Sequence, residues 1–285
     1  MKQKLIIPSV NFHLWQPCNM RCGFCFSKFE DVKNSILPKG HLPKEEAIKT
    51  IEFLAHYGFS KITFVGGEPT LCPWISELIK FAKIKGLTTM IVSNGTKLTD
   101  HFLKENKPYL DWIAISIDSI NKETNKKIGR TIKQVGVDNI YYDNLFKKIK
   151  KFDYKLKINT VVNKHNFKED LTDFINQINP SRWKVFKVLP IEQQNKLNFD
   201  EFKISNEEFY SFLKNHNSVA NLVKETNNDM TGSYIMVDPA GRFFDNVKGK
   251  YRYSSKIIEQ GVLASLQEIE ICYSKFINRD GLYNW

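Results

Sequence analysis

Residues 10–26 read VNFHLWQPCNMRCGFCF, an apolar strand that runs directly into three cysteines. Cys18, Cys22 and Cys25 have the spacing C-x3-C-x2-C, and the next cysteine along the chain is Cys72. Three thiolates at this spacing can hold three irons of a 4Fe–4S cluster, which leaves the fourth iron free to bind a small molecule. Because catalytic metal sites keep an open position and structural ones are closed, the motif predicts a metal-dependent enzyme.

The cysteines allow two other interpretations. His13, on the preceding strand, could complete a structural zinc site with four ligands. Disulfides would need an oxidising compartment, and the apolar piece Leu5–Ile7 is far too short for a secretory signal. We therefore expect free thiols in a reducing cytoplasm, with Cys72 and Cys272 as small buried apolar residues.

The composition is that of a globular protein. The chain has 285 residues, of which 42% are hydrophobic, enough for one large α/β domain or a barrel. No apolar stretch approaches the roughly 20 residues of a membrane-spanning helix, so no membrane association is expected. The net charge of +11 indicates an anionic partner. Because the lysines are scattered as on a solvated helix face and nucleic-acid-binding motifs are missing, we expect a phosphorylated small molecule and no nucleic acid.

Short β-branched runs alternate with longer helical patterns along most of the chain. Strands are predicted at 10–14, 61–65, 88–92, 112–117, 156–162 and 183–188, and helices at 44–56, 74–85, 139–152 and 206–216. This alternation indicates parallel strands joined by crossover helices. Six units are too few to close an eight-stranded barrel, so the predicted fold is α/β, with an open, partial barrel.

Polar motifs follow these strands at the points where they end. The cysteine loop follows the first strand, Gly66-Gly67-Glu68-Pro69 the second and Ser93-Asn94-Gly95 the third, while Ser116 and Asp118 close the fourth. Ligands of parallel sheets bind at the C-terminal ends of the strands. The four motifs are therefore expected to meet at one site.

The alternation stops after about residue 200. We predict a lead-in at 1–8, the barrel at 9–200 and a C-terminal extension at 201–285. Residues 233–237 and 242–244 flank Asp238-Pro239-Ala240-Gly241, which is a hairpin signal. The extension is expected to form a lid that caps the mouth of the barrel.

The motifs resemble those of the radical S-adenosylmethionine (SAM) superfamily, in which an aromatic residue, here Phe24, precedes the third cysteine and Gly-Gly-Glu-Pro follows the second strand. The resemblance implies a partial (βα)6 barrel with a 4Fe–4S cluster that cleaves S-adenosyl-L-methionine to a 5′-deoxyadenosyl radical. The cofactor residues it implies are Cys18, Cys22 and Cys25 at the cluster, Phe24 in their loop, Gly66, Gly67 and Glu68 at the methionyl amine, Ser116 and Arg130 at the methionyl carboxylate, and Asn94 at the adenosine.

A narrower resemblance covers nearly the whole chain, which is similar to the viperin-like enzymes and their prokaryotic homologues. The matching stretches include residues 11–13, 22–26, 128–130, 157–159, 179–186 and 233–234, with Arg279, Tyr283 and Trp285 in the tail. The resemblance implies a 3′-deoxy-3′,4′-didehydronucleoside triphosphate synthase. In that reaction a radical removes the 4′ hydrogen of the ribose, the 3′ hydroxyl leaves as water, and the product is a chain-terminating antiviral nucleotide. The base stays open among CTP, UTP and GTP.

Basic residues of the strands are candidates for the triphosphate. Lys157 with Asn159, and Arg182 with Lys184, are two residues apart, so each pair shares one face of its strand. The alternatives are faces that point to water or lysines that reach out between helices. The resemblance favours the site and implies these substrate residues: Asn11, His13, Lys61, Lys157, Asn159, Arg182, Lys184 and Arg279. It further implies Tyr234 as the final hydrogen donor, a flavodoxin- or ferredoxin-like electron donor, and a monomer.

Two rival functions remain open at this point. One is another radical SAM enzyme that acts on a different phosphorylated substrate. Peptide-modifying members carry extra clusters in a cysteine-rich C-terminal region, where this chain has only Cys272, which disfavours that branch. The other rival is a zinc- or iron–sulfur-containing nucleic-acid-binding protein, which is suggested by the positive net charge and the cysteines.

Overall fold

The computed structural model describes residues 7–285, so residues 1–6 of the predicted lead-in lie outside the described residues. The strands are β1 (Ser9–Trp15), β2 (Lys61–Gly66), β3 (Thr88–Ser93), β4 (Trp112–Ser116), β5 (Thr131–Ile132), β6 (Val135–Gly136), β7 (Lys155–Val162), β8 (Arg182–Lys187), β9 (Leu222–Glu225), β10 (Met236–Val237), β11 (Arg242–Asp245) and β12 (Arg252–Lys256). The helices are α1 (Lys44–Tyr57), α2 (Ile75–Ile84), α3 (Asp100–Asn106), α4 (Lys122–Ile128), α5 (Asn139–Lys150), α6 (Thr172–Ile178), α7 (Asn206–Asn215), α8 (Asn227–Met230), α9 (Ile257–Gln260), α10 (Val262–Gln267) and α11 (Tyr273–Asn278).

Six parallel strands form the centre of the main sheet. They are neighbours in the order β1, β2, β3, β4, β7 and β8, which is the order of the chain. Helices lie between successive strands, as parallel pairing requires. All six predicted strands are present, and the arrangement confirms the predicted partial barrel.

The two faces of each strand differ in chemistry. In β2, Ile62 and Phe64 are fully buried in the same apolar cluster as Ile51 and Leu54 of α1. Lys61, Thr63 and Val65 alternate with them and line the cavity inside the sheet. Because side chains alternate along a strand, burying the apolar face under the helices directs the polar face into the barrel. Lys61, Lys157 and Lys184 of β2, β7 and β8 therefore point into the barrel and not to the surface.

The C-terminal extension adds strands to both edges of the six-stranded centre. β9 pairs in parallel with β8, and β10 pairs in parallel with β1. β10 and β11 are antiparallel, as the predicted hairpin requires, and β12 follows β11. Residues 226–235 therefore run from one edge of the open barrel to the other. The division into 9–200 and 201–285 stays a prediction, because both parts contribute to one sheet.

The last residues of the chain lie at the end of the barrel opposite the cysteine loop. Tyr283 contacts Lys61 and Arg182, which are the first residues of β2 and β8. Tyr283 and Trp285 pack beside Met90 and Trp112, near the starts of β3 and β4. The last residues of the extension therefore close the N-terminal end of the barrel, while Tyr251, also in the extension, donates to the carbonyl of Phe26 beside the cysteine loop. That the extension forms a lid over the mouth stays a prediction. Pairing of β9 and β10 with the two sheet edges fixes the path of the extension.

The helices α3, α4 and α6 were not predicted. Each has seven residues, too few for a clear helical period. Among the described residues, no helix combines the length and the apolar character needed to cross a membrane.

Candidate active site

One cavity of about 310 Å³ runs through the barrel and brings the predicted residues together. All of them line it except Arg182. The motifs at the ends of β1 to β4 surround one end of the cavity, while lysines from the starts and middles of β2, β7 and β8 surround the other. The cavity therefore has a cysteine end and a cationic end.

The cysteine loop is held in place by the backbone of α4. The amides of Arg21 and Gly23 donate to the carbonyl oxygens of Gly129 and Ile128, at 3.1 and 3.0 Å. A Cβ at Gly129 would lie 2.2 Å from the Arg21 carbonyl oxygen. A side chain at residue 129 would therefore displace the loop that carries Cys22.

Gly66 and Gly67 are required by the backbone that precedes the cysteines. A Cβ on Gly67 would lie 2.2 Å from the carbonyl oxygen of Gln16, and one on Gly66 2.4 Å from that of Trp15. Gly66 also has a φ of 145°, which residues with a side chain rarely adopt. The two glycines thus let the end of β2 pack directly against the start of the cysteine loop. Whether they also contact a ligand stays a prediction.

Glu68 is buried and bonded to the loop after β3. Its carboxylate accepts hydrogen bonds from the Ser93 hydroxyl at 2.8 Å and the Asn94 amide at 2.7 Å. Thr70 donates to it from the next turn. Burial raises the pKa of Glu68, while these donors oppose the rise. The acid therefore fixes the position of Asn94 at the cavity wall.

Arg130 reaches the cysteine end from the turn after α4. Its Nε donates to Asp118 at 2.8 Å in a buried pair. The second oxygen of Asp118 accepts the amide of Val161 at 2.8 Å, so the carboxylate ties the arginine to β7. Ser116, at the end of β4, lines the cavity beside them. A guanidinium anchored in this way can bind a ligand carboxylate.

His13 and Asn159 lie along the middle of the cavity. Nδ1 of His13 is 2.8 Å from the Ser27 hydroxyl, and its ring packs edge-on against Phe29 and Phe244. Burial lowers the pKa of His13 to about 3, so the imidazole is neutral. Asn159 has a buried Oδ1 without a hydrogen-bond partner within residues 7–285. A ligand hydroxyl could supply that partner.

Lys61 and Lys157 form the core of the cationic end. Lys61 donates to the Tyr283 hydroxyl, and its amine lies 4.3 and 4.7 Å from the ring centres of Tyr283 and Trp285. Lys157 is 9% exposed and has no hydrogen-bond or ion-pair partner in the part of the chain that the structure describes. Burial, followed by repulsion from neighbouring cations, lowers the pKa of Lys61 to about 6 and that of Lys157 well below its ordinary value.

Glu225, which the sequence analysis missed, is bonded to three predicted residues. Its carboxylate accepts hydrogen bonds from the Lys184 amine and the Tyr234 hydroxyl, and lies 3.4 Å from Nη1 of Arg279. The Arg279 guanidinium lies 3.6 Å from the centre of the Tyr234 ring. Glu225 is the last residue of β9, a short strand that carries no recognisable motif. Only the pairing of β9 with β8 places it beside Lys184.

Arg182 turns away from the cavity. Its guanidinium donates to the Asp280 carboxylate at 2.6 Å and to the Asp280 carbonyl at 2.7 Å, beneath the Tyr283 ring. Arg182 thus holds the tail at the N-terminal end of the barrel. A direct contact between Arg182 and the substrate stays a prediction.

The three cysteines lie apart from one another in the loop. Within residues 7–285, no three His, Cys, Asp or Glu side chains converge on a point that could hold one ion. Cys18, Cys22 and Cys25 are unpaired thiols that line the same end of the cavity. A 4Fe–4S cluster takes each thiolate on a different iron, so its ligands surround a volume and need not meet at a point.

Comparison with known proteins identifies the family. Residues 15–178, from the end of β1 to the end of α6, match the Radical SAM superfamily. The chain belongs to this superfamily. Radical SAM enzymes use a 4Fe–4S cluster and SAM, which confirms the predicted cofactors, and the three thiols beside Arg130 fit them.

Relatives narrow the family further. The chain is 58% identical over 280 residues to the S-adenosylmethionine-dependent nucleotide dehydratase of Flammeovirga pacifica, which covers 98% of this chain and 97% of the relative. It is 56% identical to the dehydratase of Lacinutrix mariniflava, covering 98% of this chain but 59% of that longer protein. The S-adenosylmethionine-dependent nucleotide dehydratase RSAD2 of Danio rerio is 36% identical over 97% of this chain and 78% of its own length. This radical SAM protein is therefore a member of the nucleotide dehydratase family, which confirms the predicted viperin-like relationship.

Solved radical SAM structures share the fold. The enzyme anSMEcpe with bound AdoMet and the Kp18Cys peptide has a TM-score of 0.70 at 16% identity, over 91% of this chain and 80% of that chain. SuiB of Streptococcus suis bound to S-adenosylmethionine has a TM-score of 0.63 at 16% identity, over 82% of this chain and 59% of that chain. At this identity the likeness supports the partial barrel alone.

Proposed function

We propose that this radical SAM protein dehydrates a ribonucleoside triphosphate, CTP, UTP or GTP, to the 3′-deoxy-3′,4′-didehydro nucleotide. One observation carries the proposal: a single cavity joins three cysteines at one end to Lys61, Lys157, Lys184 and Arg279 at the other. The names of the relatives, which are nucleotide dehydratases, support a nucleotide in this cavity.

The distance between the two ends suits a nucleotide. β2 begins at Lys61 in the cationic end and finishes at Gly66 beside the cysteine loop. At about 3.3 Å per residue, these six residues span roughly 17 Å. A ligand whose anionic tail reaches the lysines can therefore keep its ribose close to the cysteine end.

The lysines of the cationic end would be stabilised by a ligand with several negative charges. A buried ammonium without a partner is unfavourable, and Lys157 has none within the described chain. A triphosphate supplies several charged oxygens that can accept charge-assisted hydrogen bonds from convergent cations. We infer that Lys61, Lys157, Lys184 and Arg279 hold the phosphates, with Asn11, His13 and Asn159 along the ribose.

The residues around the ribose have separate tasks in the reaction. When bound, the cluster and SAM supply the radical that takes the hydrogen from ribose C4′. Asn159 and its neighbours hold the ribose while the 3′ C–O bond breaks and the hydroxyl leaves with a proton as water. One electron and one proton then complete the didehydro product. We infer that Tyr234, whose hydroxyl lies 3.4 Å from the Lys184 amine, delivers that hydrogen, and an external reductant restores it.

The remaining partners follow from the chemistry. We infer a flavodoxin- or ferredoxin-like protein as the source of electrons, because the reaction needs a one-electron reductant. The described cysteines are all unpaired, which suits a reducing compartment such as the cytoplasm. We expect a monomer.

The test is anaerobic reconstitution followed by incubation with SAM, a reductant and each of CTP, UTP, GTP and ATP. We expect at least one nucleotide to stimulate formation of 5′-deoxyadenosine and to appear by mass spectrometry as a product that has lost one water. Cys22→Ala should abolish both products, and Cys272→Ala, outside the cavity, should leave them unchanged. If no nucleotide stimulates SAM cleavage, the substrate assignment is wrong.

The role of Tyr234 has its own test. Tyr234→Phe keeps the ring under Arg279 but removes the hydroxyl. We expect 5′-deoxyadenosine to form without an equivalent amount of dehydrated nucleotide, because the last hydrogen is missing. Unchanged coupling of the two products would reject this role.

A further inference from the structure

Glu225 stands at the junction between the cationic end of the cavity and the proposed hydrogen donor. It is the last residue of β9 and is 0% exposed. Its neighbours across the β8–β9 pairing place its carboxylate behind the cavity wall, so that it does not itself line the cavity. Lys184, Tyr234 and Arg279, which do line the cavity, all point a polar group at this one carboxylate.

The carboxylate determines the direction of the Tyr234 hydroxyl. The phenol donates its hydrogen to Oε2 of Glu225, and it receives a longer contact of 3.4 Å from the Lys184 amine. The ring itself is clamped by the Arg279 guanidinium, which also donates to the Ser233 carbonyl at 3.0 Å. Both rotation of the ring and rotation of the hydroxyl are therefore fixed by Glu225 and its partners.

The same carboxylate holds two of the cations. Burial tends to raise the pKa of Glu225, but Lys184 and Arg279 outweigh it, so the pKa lies below its ordinary value and the group is ionised. Burial lowers the pKa of Lys184 to about 8 while Glu225 opposes the change. The other charged and titratable groups of this end are Lys61, Lys157, Arg182, Asp280 and Tyr283. Asp280 is engaged by Arg182, which leaves Glu225 as the counter-charge for Lys184 and Arg279.

We propose that Glu225 is a positioning residue, which aims the Tyr234 hydroxyl at the nucleotide while it partly neutralises the Lys184 and Arg279 cations. This inference rests on the proposed function. A purely structural acid would not need three partners that all face the cavity. Buried ion pairs add little to stability compared with apolar residues of the same volume, so stability alone does not account for this cluster.

The first test reads the phenol directly and needs no cofactor. In the wild type, the ionised Glu225 accepts the phenol hydrogen and repels the phenolate, which together with burial holds the pKa of Tyr234 well above its ordinary value. Glu225→Gln removes the repulsion and leaves two cations beside the ring. We expect the Tyr234 Cζ signal in 13C-tyrosine NMR, identified by its loss in Tyr234→Phe, to titrate at a pH lower by at least about one unit.

The second test uses the reconstituted enzyme and separates binding from chemistry. Glu225→Gln removes one negative charge near the phosphates, so KM for the nucleotide should stay within about threefold of the wild type or fall. Dehydrated nucleotide per 5′-deoxyadenosine should drop at least about tenfold, because a donor that points in the wrong direction reacts slowly. Simple loss of folding would not produce this split.

Asp238→Asn provides the matched control. Asp238 is also a 0% exposed carboxylate of the extension, and it binds Arg242 outside the cavity. Its substitution should lower the thermal midpoint as much as Glu225→Gln does, but leave the Tyr234 titration and the product ratio unchanged. Identical effects of both substitutions on the product ratio would overturn the proposal.

The outcomes distinguish this inference from the proposed function. If the wild type dehydrates no nucleotide, the function is wrong, and the NMR titration still decides whether Glu225 governs Tyr234. If the wild type is active and Glu225→Gln keeps both its phenol titration and its product ratio, Glu225 is not a positioning residue.

Discussion

At the scale of the residue, Lys157 is a binding-site group that lowers the stability of the ligand-free fold. Its side chain is 9% exposed and lines the cavity, and no hydrogen bond or ion pair joins its amine to residues 7–285. Neighbouring cations at Lys184 and Lys61 further disfavour its charge. Such a group is retained for a ligand and not for the fold.

Substitution of Lys157 by methionine should therefore change stability and binding in opposite directions. The apolar side chain keeps the volume and removes an uncompensated charge, so we expect the ligand-free protein to unfold at a higher temperature. Loss of a charge-assisted hydrogen bond, worth about 1.5–3 kcal/mol, should weaken nucleotide binding by roughly 10- to 100-fold. Calorimetry of unfolding and of nucleotide binding measures both changes.

Lys164→Met serves as the control, because Lys164 is exposed and outside the cavity. Its effect on either quantity should be small. A Lys157→Met protein that binds nucleotide as tightly as the wild type would remove Lys157 from the site.

At the scale of the element, the end of α4 is a support for the cysteine loop. Gly129 ends the helix with a φ of 84° and accepts the Arg21 amide through its carbonyl. Backbone hydrogen bonds join the helix end to the loop, and the close approach depends on the lack of a side chain at Gly129. Gly86 has the same φ, but a Cβ there would meet nothing within 4 Å.

The pair Gly129→Ala and Gly86→Ala separates strain from displacement of the loop. Both variants should lose roughly 1–2 kcal/mol from the left-handed backbone. Only Gly129→Ala should also lose iron on reconstitution, because its methyl group would push against Arg21. Iron and sulfide analysis, with the visible absorbance of the cluster, provides the measurement. Equal iron contents in the two variants would contradict this role of α4.

The C-terminal tail, residues 281–285, is a second element whose role follows from its position. Tyr283 and Trp285 cover Met90 and Trp112 and close the end of the cavity next to Lys61. Truncation after Leu282 should lower the free energy of unfolding by on the order of 2 kcal/mol through lost apolar burial. It should also raise KM for the nucleotide, since water would reach the phosphates.

The control for the truncation is Leu282→Ala, which changes an exposed side chain of the same tail. Neither the melting temperature nor KM should respond to it. If the truncated chain keeps the wild-type KM, the tail has no part in binding.

At the scale of the whole molecule, the two ends of the barrel cavity differ in their charged and ligating groups. The mouth holds unpaired thiols and the buried acid Glu68, and the far end holds an excess of cations. Burial lowers the pKa of Lys61 to about 6 and that of Lys184 to about 8 in the ligand-free protein. Nucleotide binding should therefore be coupled to protonation of these two lysines.

We expect nucleotide binding to take up protons above pH 7. A bound polyanion raises the pKa of each lysine, so the complex holds more protons than the free protein, and affinity falls as the pH rises beyond the ligand-free values of about 6 and 8. The last phosphate proton is lost with a pKa of about 6, so measurements at pH 8 and above keep the titration of the triphosphate out of the trend. Titration calorimetry in two buffers of different ionisation enthalpy measures the uptake.

Lys184→Arg is the informative variant, because arginine stays charged throughout this range. It should take up fewer protons than the wild type. A binding enthalpy that is independent of the buffer would show that these lysines are already charged before the nucleotide arrives.

The parts of this protein that depend on short spacings could be predicted from the amino-acid sequence. The cysteine motif, the Gly-Gly-Glu-Pro turn and the six strands are local patterns, and their convergence follows from the rule that parallel strands end on one edge. Two-residue periodicity placed Lys157 with Asn159 on one face, though it could not say which face was inside.

The groups that meet across the sheet edges could be identified only from the folded chain. Glu225 lies 41 residues from Lys184 and 54 from Arg279, and no periodic pattern links positions that far apart. The path of the tail to the N-terminal end of the barrel depended on β9 and β10 each finding an edge strand. Strand pairing at the edges is set by the backbone hydrogen bonds that the six-stranded centre leaves unmatched, and these exist only once that centre has formed.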